Sequence, residues 1–203
     1  MKKTVFDLFP GFFGVFSRYA YPRASKRDMK SLVDSLERDE IVLDLASGTG
    51  IPSTFFINKK GLKFVLLDLS INMLRKSPFA ASRVVGKAEN LPFKDKVFGL
   101  ILCGLSFHHF DDQESVMKEL KRIIKPKGRF YIFEIDTNTT IGRVISLIDR
   151  IFNRVFFIEP QKFRKLAEKT GFIANIKRYD WRYALIGEPK ALSQKFPPNG
   201  KER

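Results

Sequence analysis

Two aspartates, each near the end of an apolar run, are the residues of this chain best placed to do chemistry. Asp44 lies in VLDL, directly before a loop of small residues at 46–50, and Asp68 ends FVLLD, 20 residues after Gly48. Small residues let the backbone turn sharply and let a ligand approach the main chain closely. A carboxylate before such a loop would repel a pyrophosphate but suits a cationic ligand. The sequence therefore predicts a nucleotide-type cradle.

The second aspartate leaves two kinds of nucleotide ligand open. An acid at the position of Asp68 can accept hydrogen bonds from both ribose hydroxyls, but sites for NAD place an acid similarly. The spacing Gly48-x-Gly50-x-x-Ser53 also nearly matches the dinucleotide fingerprint. A nicotinamide-dependent oxidoreductase is therefore one alternative function.

The only two histidines, His108 and His109, follow an apolar run at 97–103. Imidazole titrates near neutral pH, so either could act as a general base, and the alternative is that they orient the loop or cap the next helix. The single cysteine, Cys103, ends that apolar run, where cysteines are usually inert. Two histidines and one cysteine do not form a metal-ligand cluster of the usual spacing, so no metal site is predicted.

Apolar runs that alternate with helical patterns must position these residues. Strands are predicted at 41–45, 63–67, 83–85, 97–103 and 129–135, with a terminal hairpin at 173–179 and 182–186. Helices are predicted at 24–37, 52–58, 71–76, from Asp111 or Asp112 to 125, 141–157 and 161–170. Strands that alternate with helices imply right-handed crossovers and a parallel, doubly wound sheet. Ligands of such sheets bind at the carboxyl ends of the strands, which brings the candidate residues to one crevice.

Five segments, in order along the chain, resemble the motifs of the class I S-adenosylmethionine-dependent methyltransferases. They are DLASGTG at 44–50, LLDLSINML at 66–74, GKAENLPF at 86–93, LCGLSFHHF at 102–110 and LKRIIKPKGRFYIFE at 120–134. Together they span about half of the chain. The most similar subgroup is type 11, which includes the quinone-biosynthesis C-methyltransferases. Three positions depart from the family pattern: Ala46 replaces the usual first glycine, Lys87 stands where Asp or Asn is frequent, and Gly99 replaces a common Asp.

The resemblance implies an α/β, Rossmann-like methyltransferase fold with a doubly wound, mostly parallel seven-stranded sheet in the order 3-2-1-4-5-7-6, the last strand antiparallel. It implies S-adenosyl-L-methionine as the cofactor, with the glycine loop at the methionine part, Asp68 at the ribose, and Leu69 and Met73 packed on adenine. A protonated lysine cannot accept a hydrogen bond from adenine, so Glu89 or the backbone is expected to replace Lys87 there. The residues predicted to bind cofactor are Asp44, Ala46, Ser47, Gly48, Thr49, Gly50, Asp68, Leu69, Met73, Lys87, Ala88, Glu89, Cys103 and Gly104.

The predicted domain organisation is one methyltransferase domain at 1–190 followed by a mobile tail at 191–203. Within the domain, residues 1–38 form an aromatic N-terminal cap, 39–136 the cofactor-binding half, and 137–190 lid helices with the terminal strand pair.

Two apolar segments outside the cofactor half are expected to decide the substrate. The first is the aromatic stretch from Phe6 to Tyr21, and the second is the amphipathic helix at 141–157. Each either packs as part of the core, shelters an apolar substrate, or lies on lipid. If the two segments shelter a substrate, Phe12 and Phe152 on their inward faces would contact it. We predict methyl transfer to a small lipophilic or aromatic acceptor that resembles a quinone precursor.

The charge of the chain allows other partners. The formal net charge is +15, and residues 141–203 hold 14 Lys or Arg against 6 Asp or Glu. This excess suits RNA, an anionic membrane surface or simple solubility, so an RNA methyltransferase is a second alternative. The longest apolar stretch, at 98–107, is too short to span a bilayer, and a single cysteine fits a reducing compartment. A cytoplasmic protein is predicted, and its oligomeric state is left open.

Overall fold

The computed structural model describes residues 21–56, 61–77 and 81–190. The predicted tail at 191–203 and all of the aromatic N-terminal stretch except Tyr21 lie outside these residues. Seven strands form one sheet: β1 Ile41–Leu45, β2 Lys63–Asp68, β3 Ser82–Val85, β4 Phe98–Gly104, β5 Ile124–Ile135, β6 Phe172–Tyr179 and β7 Arg182–Pro189. The helices are α1 Arg23–Asp34, α2 Ile51–Thr54, α3 Ile71–Arg75, α4 Gln113–Ile123, α5 Thr140–Phe152 and α6 Pro160–Lys169, with a 3-10 helix at Phe107–His109.

The sheet has the order β3-β2-β1-β4-β5-β7-β6, which confirms the predicted topology. The first five strands pair in parallel, whereas β7 is antiparallel to both β5 and β6. Strand order reverses between β1 and β4, whose carboxyl ends therefore frame the crevice expected for a ligand.

Helices cover both faces of the sheet because its central strands are apolar at consecutive positions. On β4, Ile101 packs into one core layer and its neighbour Leu102 into the other. The first layer also contains Leu120 of α4, and the second contains Met29 of α1. This alternation is the two-residue period of a strand buried on both faces.

Helix starts follow the predicted capping chemistry. The Ser70 side chain accepts a hydrogen bond from the backbone of Met73, and Asp112 accepts one from Ser115. Asp112, rather than Asp111, is therefore the cap of α4.

The end of α4 differs from the prediction that proline and glycine at 126–128 would stop it near residue 125. The helix ends at Ile123, and β5 begins directly at Ile124, which pairs with Phe98. The register then shifts between Phe98 and Leu100. Proline has no backbone N–H to donate to a neighbouring strand, so within sheets it is confined to edges and to irregularities such as this one. Pro126 can therefore lie inside the strand at this register shift.

Helix α5 is shorter than predicted, and its apolar side points away from the core. It ends at Phe152, where Asn153 adopts an extended conformation. Of the three alternatives for this helix, packing as a core stripe does not fit, because five of its apolar residues are 51–71% exposed: Ile141, Val144, Leu147, Ile148 and Ile151. Gly142 and Ser146 are buried instead. A Cβ on Gly142 would lie 2.0 Å from the carbonyl oxygen of Asp136, so the start of the helix packs through its glycine against the turn that follows β5.

Candidate active site

Three strands end together at the crevice because of their register. Leu45 of β1 pairs with Leu67 on one side and with Cys103 on the other. The Ser47 amide donates to the Leu67 carbonyl (3.0 Å), and the Ser106 hydroxyl donates to the Ala46 carbonyl (3.2 Å). The loops after β1, β2 and β4 are thereby held at one edge of the sheet.

The glycine loop turns through left-handed backbone conformations. Ala46, Gly48 and Gly50 have φ angles of 49°, 55° and 80°. Glycine adopts this region readily because it has no Cβ. Ala46 adopts it although it has a Cβ, at the position where the family usually has glycine. A Cβ on Gly48 would lie 3.2 Å from the terminal carbon of Met73, which packs close to the loop.

Asp68 fixes the loop through both carboxylate oxygens. One oxygen accepts from the Gly48 amide and the other from the Ser70 amide, each at 2.8 Å. A carboxylate oxygen has two lone pairs, so each oxygen can accept more than one hydrogen bond. The side chain is thus both a loop anchor and an acceptor at the rim of the crevice.

Asp44 is a fully buried carboxylate with one oxygen satisfied. Its Oδ2 accepts from the Ser53 hydroxyl (2.7 Å) and amide (3.2 Å). Its Oδ1 and the nearby Ser47 hydroxyl are buried and have no hydrogen-bond partner among the described residues. Burial raises the pKa of Asp44 to about 7, the charge of Asp68 acts in the same direction, and the hydrogen bonds from Ser53 oppose the shift. A ligand cation, such as an ammonium or sulfonium group, fits this orphaned acceptor.

The residues predicted to lie beside adenine occupy the loop after β3. The Gly86 amide donates to the Asp68 carbonyl (3.2 Å), which places residues 87–89 next to the end of β2. Ala88 is buried, whereas Leu69 is 57% exposed and therefore lies at the rim.

Tyr21 was not predicted as a site residue, yet it packs at the ends of the central strands. Its hydroxyl occupies the space that a side chain on Gly104 would fill, and its ring stacks on Phe133 with centroids 4.8 Å apart. Burial, and then the charge of Asp44, raise the pKa of Tyr21 well above its usual value. The only sequence signal was the aromatic composition of the N-terminal stretch.

His108 is held between two carboxylates. Its Nδ1 lies 2.6 Å from Glu134 Oε2, and its Nε2 lies 3.1 Å from Asp149 Oδ2. Burial lowers the pKa of His108, but the charges and hydrogen bonds of both carboxylates outweigh it and raise the pKa to about 9. The ring is therefore an imidazolium at pH 7 with both N–H groups donating. The predicted role of His108 as general base does not fit this geometry.

His109 is the histidine that stays neutral. Burial, followed by the positive charge of His108, lowers the pKa of His109 to about 4. The two ring centroids are 4.2 Å apart. At pH 7 His109 thus has a nitrogen lone pair, which a proton acceptor needs.

Asp149 adds a third possible metal ligand that the sequence spacing did not suggest. Possible ligand atoms of His108, His109 and Asp149 all lie within 4.8 Å of one another. The hydrogen bonds of His108 to its two carboxylates account for this arrangement without a metal. Asp149 was missed because it lies about 40 residues along the chain, on α5.

Comparison with known proteins identifies the framework around these residues. Residues 43–132 match the family described as a methyltransferase domain. A demethylmenaquinone methyltransferase from Thermotoga maritima is 37% identical over 114 residues, which cover 53% of this chain and 50% of that protein. A crystal structure of a SAM-dependent methyltransferase from Thermotoga maritima is similar with a TM-score of 0.74 and 19% identity, covering 92% of this chain and 99% of that one. A SAM-dependent methyltransferase from Methanosarcina mazei gives a TM-score of 0.65 at 16% identity, covering 79% and 97%.

Residues 43–132 match a methyltransferase-domain family, and the chain has the fold of the SAM-dependent methyltransferases to which it is similar. The resemblance and the fold class predicted from the motifs are therefore confirmed. The methyltransferase family of this fold uses S-adenosylmethionine. The chain spans about half the length of the curated relatives that it matches. No helix among the described residues is long and apolar enough to cross a membrane.

Cys103 of the methyltransferase domain is not suited to covalent catalysis. Burial raises the pKa of its thiol well above the ordinary value, and the charges of Glu134 and Asp44 act in the same direction. The reactive species of cysteine is the thiolate, which this site disfavours.

Proposed function

We propose that this chain binds S-adenosylmethionine at the carboxyl edge of β1 and β2 and transfers its methyl group to a small, lipophilic aromatic acceptor. The observation that carries the cofactor half is Asp44, whose buried Oδ1 has no partner among the described residues. Because a cation would satisfy this oxygen and favour the ionised carboxylate, the site suits the ammonium of the methionine part.

Each of the other cofactor contacts is assigned to a residue at the same edge. The turn of the loop at 46–50 allows the backbone to approach the ligand, and the Asp68 carboxylate, which accepts from the Gly48 and Ser70 amides, is the acceptor assigned to the ribose hydroxyls. Met73 and Ala88 offer apolar surface for adenine, with Leu69 at the rim. The cofactor supplies an activated methyl group, so the protein's task is to align the acceptor with it and remove a proton where needed.

The acceptor is proposed from the relatives' names and from the site's aromatic character. Proteins named demethylmenaquinone methyltransferase match about half of this chain at 36–37% identity. Tyr21 and Phe133 stack on each other near the ends of β4 and β5, which gives the buried wall there an aromatic character. We assign His109 as the proton acceptor, because His108 is already protonated at pH 7.

Calorimetry with S-adenosylmethionine, NADH and NADPH tests the cofactor assignment. We expect binding of S-adenosylmethionine only, with affinity reduced in Asp44→Asn. Binding of a nicotinamide nucleotide alone would show that the glycine loop serves an oxidoreductase instead.

A labelled methyl donor then tests the acceptor. The protein is incubated in parallel with a demethylated quinol, total RNA and a mixture of polar metabolites. We expect label in the quinol fraction, and a His109→Gln variant that still binds cofactor should lose most of this transfer. Label only in RNA or in the polar fraction would refute a lipophilic acceptor while leaving the cofactor assignment intact.

A further inference from the structure

Helix α5 is amphipathic with its apolar side turned outward. Half of the large apolar residues that are exposed in the described part of the chain lie on this one helix. They recur at spacings of three and four, so they share one face, which we call the α5 outer face: Ile141, Val144, Leu147, Ile148 and Ile151. Contiguous apolar patches of a few hundred Å² mark interaction or membrane sites rather than ordinary surface.

Polar contacts fix the direction of this face. Thr139 caps the helix by accepting from the Gly142 amide, and Gly142 itself packs against the carbonyl of Asp136. One turn from the other end, Asp149 accepts from His108 at 3.1 Å. Because Gly142, Ser146 and Asp149 lie on the side of α5 opposite the outer face, turning the helix to bury its apolar residues would break the contact between Asp149 and His108.

Arginines border the outer face. Arg143 and Arg150 lie seven residues apart, so they share one flank of the helix, and both are exposed. Arg154, just after the helix, is 80% exposed. The whole chain has a formal charge of +15, with a large share of the excess after residue 140. An apolar face with a basic flank is the pattern of a helix that lies in the plane of a membrane interface.

We propose that α5 docks this protein on an anionic lipid surface, with the outer face inserted among the lipid chains and the arginines at the phosphate headgroups. This arrangement removes the exposed apolar side chains from water and places the basic flank beside anionic phosphates. A second copy of the chain would bring the same arginines together, and RNA would contact the arginines but leave the apolar face in water. The inference rests on α5 alone and does not depend on the methyltransferase activity proposed above.

Co-sedimentation of the full chain with vesicles tests the proposal. The vesicles are phosphatidylcholine alone or phosphatidylcholine with phosphatidylglycerol, at low and at high salt. We expect binding to the anionic vesicles that weakens at high salt. Leu147→Glu with Ile151→Glu should weaken partitioning at least tenfold. The matched control is Ile173→Glu on β6, where the side chain is 52% exposed on another element, and it should bind like the wild type.

Two further measurements keep the test independent of variant folding. Ile148→Trp should give tryptophan emission that shifts to shorter wavelength with anionic vesicles, beyond any change of the wild-type signal from Trp181. Arg143→Gln with Arg150→Gln should weaken binding to anionic vesicles several-fold. Absence of wild-type binding, equal loss in Ile173→Glu, or a wild-type dimer that Leu147→Glu separates without changing vesicle binding would each overturn the proposal.

Discussion

The negative charge of Asp44 is expected to favour binding of a cationic ligand, but it disfavours folding. The carboxylate is fully buried, and Ser53 satisfies only one of its oxygens. Burial raises its pKa to about 7, so the ionised form is costly in the folded protein. Asp68, in contrast, has both oxygens hydrogen-bonded to backbone amides.

We therefore predict that Asp44→Asn stabilises the ligand-free protein while weakening cofactor binding. At pH 8 the substitution removes a buried, uncompensated charge, and we expect the free energy of unfolding to rise by about 1–3 kcal/mol. Urea denaturation at pH 8 measures the first effect, and calorimetry with S-adenosylmethionine measures the second. A variant that is less stable at pH 8 would show that the carboxylate has a favourable partner in the folded state.

For Asp68→Ala we expect cofactor affinity to fall by about 1–3 kcal/mol, because buried ribose hydroxyls would lose a charged acceptor. Calorimetry on the folded variant measures the change. Asp95→Ala is the matched control, since Asp95 is 67% exposed and pairs with Arg122 away from the crevice. Equal dissociation constants for wild type and Asp68→Ala would mean that the ribose is held elsewhere.

At the scale of elements, α5 is attached by small and polar contacts rather than by its apolar stripe. The backbone of β5 near Asp136 packs where Gly142 lacks a side chain. His108 links Asp149 of this helix to Glu134 of β5. The segment after α5 is held too, because the Phe156 amide donates to the His108 carbonyl at 2.6 Å.

This attachment predicts an unusual pattern of alanine substitutions. Gly142→Ala should destabilise the protein by about 1–3 kcal/mol, because the new methyl group would overlap the Asp136 carbonyl. Val144→Ala, which truncates a residue that is 54% exposed, should change stability by less than about 0.5 kcal/mol. Urea denaturation compares the two. The reverse order would place the apolar face of α5 inward.

We also predict that Asp149→Asn lowers the pKa of His108. The substitution removes one of the two carboxylates that favour the imidazolium. NMR titration of the histidine ring follows the pKa. Asp111→Asn makes the same charge change at an exposed ion pair with Arg154 and should leave the pKa of His108 unchanged. An unaltered pKa in Asp149→Asn would assign the whole shift to Glu134.

At the scale of the whole molecule, three buried groups couple folding to pH in different directions. Asp44 and His108 both bind a proton more tightly in the folded protein, with pKa values of about 7 and about 9. His109 binds it less tightly, with a pKa of about 4. Between pH 4 and 6.5 the contributions of Asp44 and His109 to the free energy of unfolding change in opposite directions as the pH rises. Above pH 6.5 the loss of the His108 contribution dominates.

The expected result is a free energy of unfolding that falls between pH 6.5 and 9, by about 1–3 kcal/mol. The sign follows because a raised pKa stabilises the fold fully below the unfolded value of 6.5, and this stabilisation is lost as the pH rises to about 9. Urea denaturation at pH 7, 8 and 9 measures the slope. In His108→Gln, the same series should be nearly flat above pH 7, and a slope equal to that of the wild type would assign the effect to other groups.

The types of the elements and the position of the glycine loop could be predicted from the residues themselves, whereas the order of the strands was implied by the family resemblance. Apolar runs long enough for buried strands alternate with helical patterns, and this local periodicity fixes the element types. Asp44 and Asp68 end such runs, so the parallel sheet necessarily brings them to one edge. The caps Ser70 and Asp112 could likewise be found because capping depends on neighbouring residues.

Only the tertiary structure decided the protonation of the histidines and the direction of α5. Glu134 and Asp149 lie 26 and 41 residues from His108 in the chain, and their charges raise its pKa although no local pattern links the three. The periodicity of α5 predicts an apolar face but cannot say which way that face points. Its direction depends on Asp149 reaching His108, 41 residues away in the chain. Contacts between distant segments set these properties, and local sequence patterns do not reveal them.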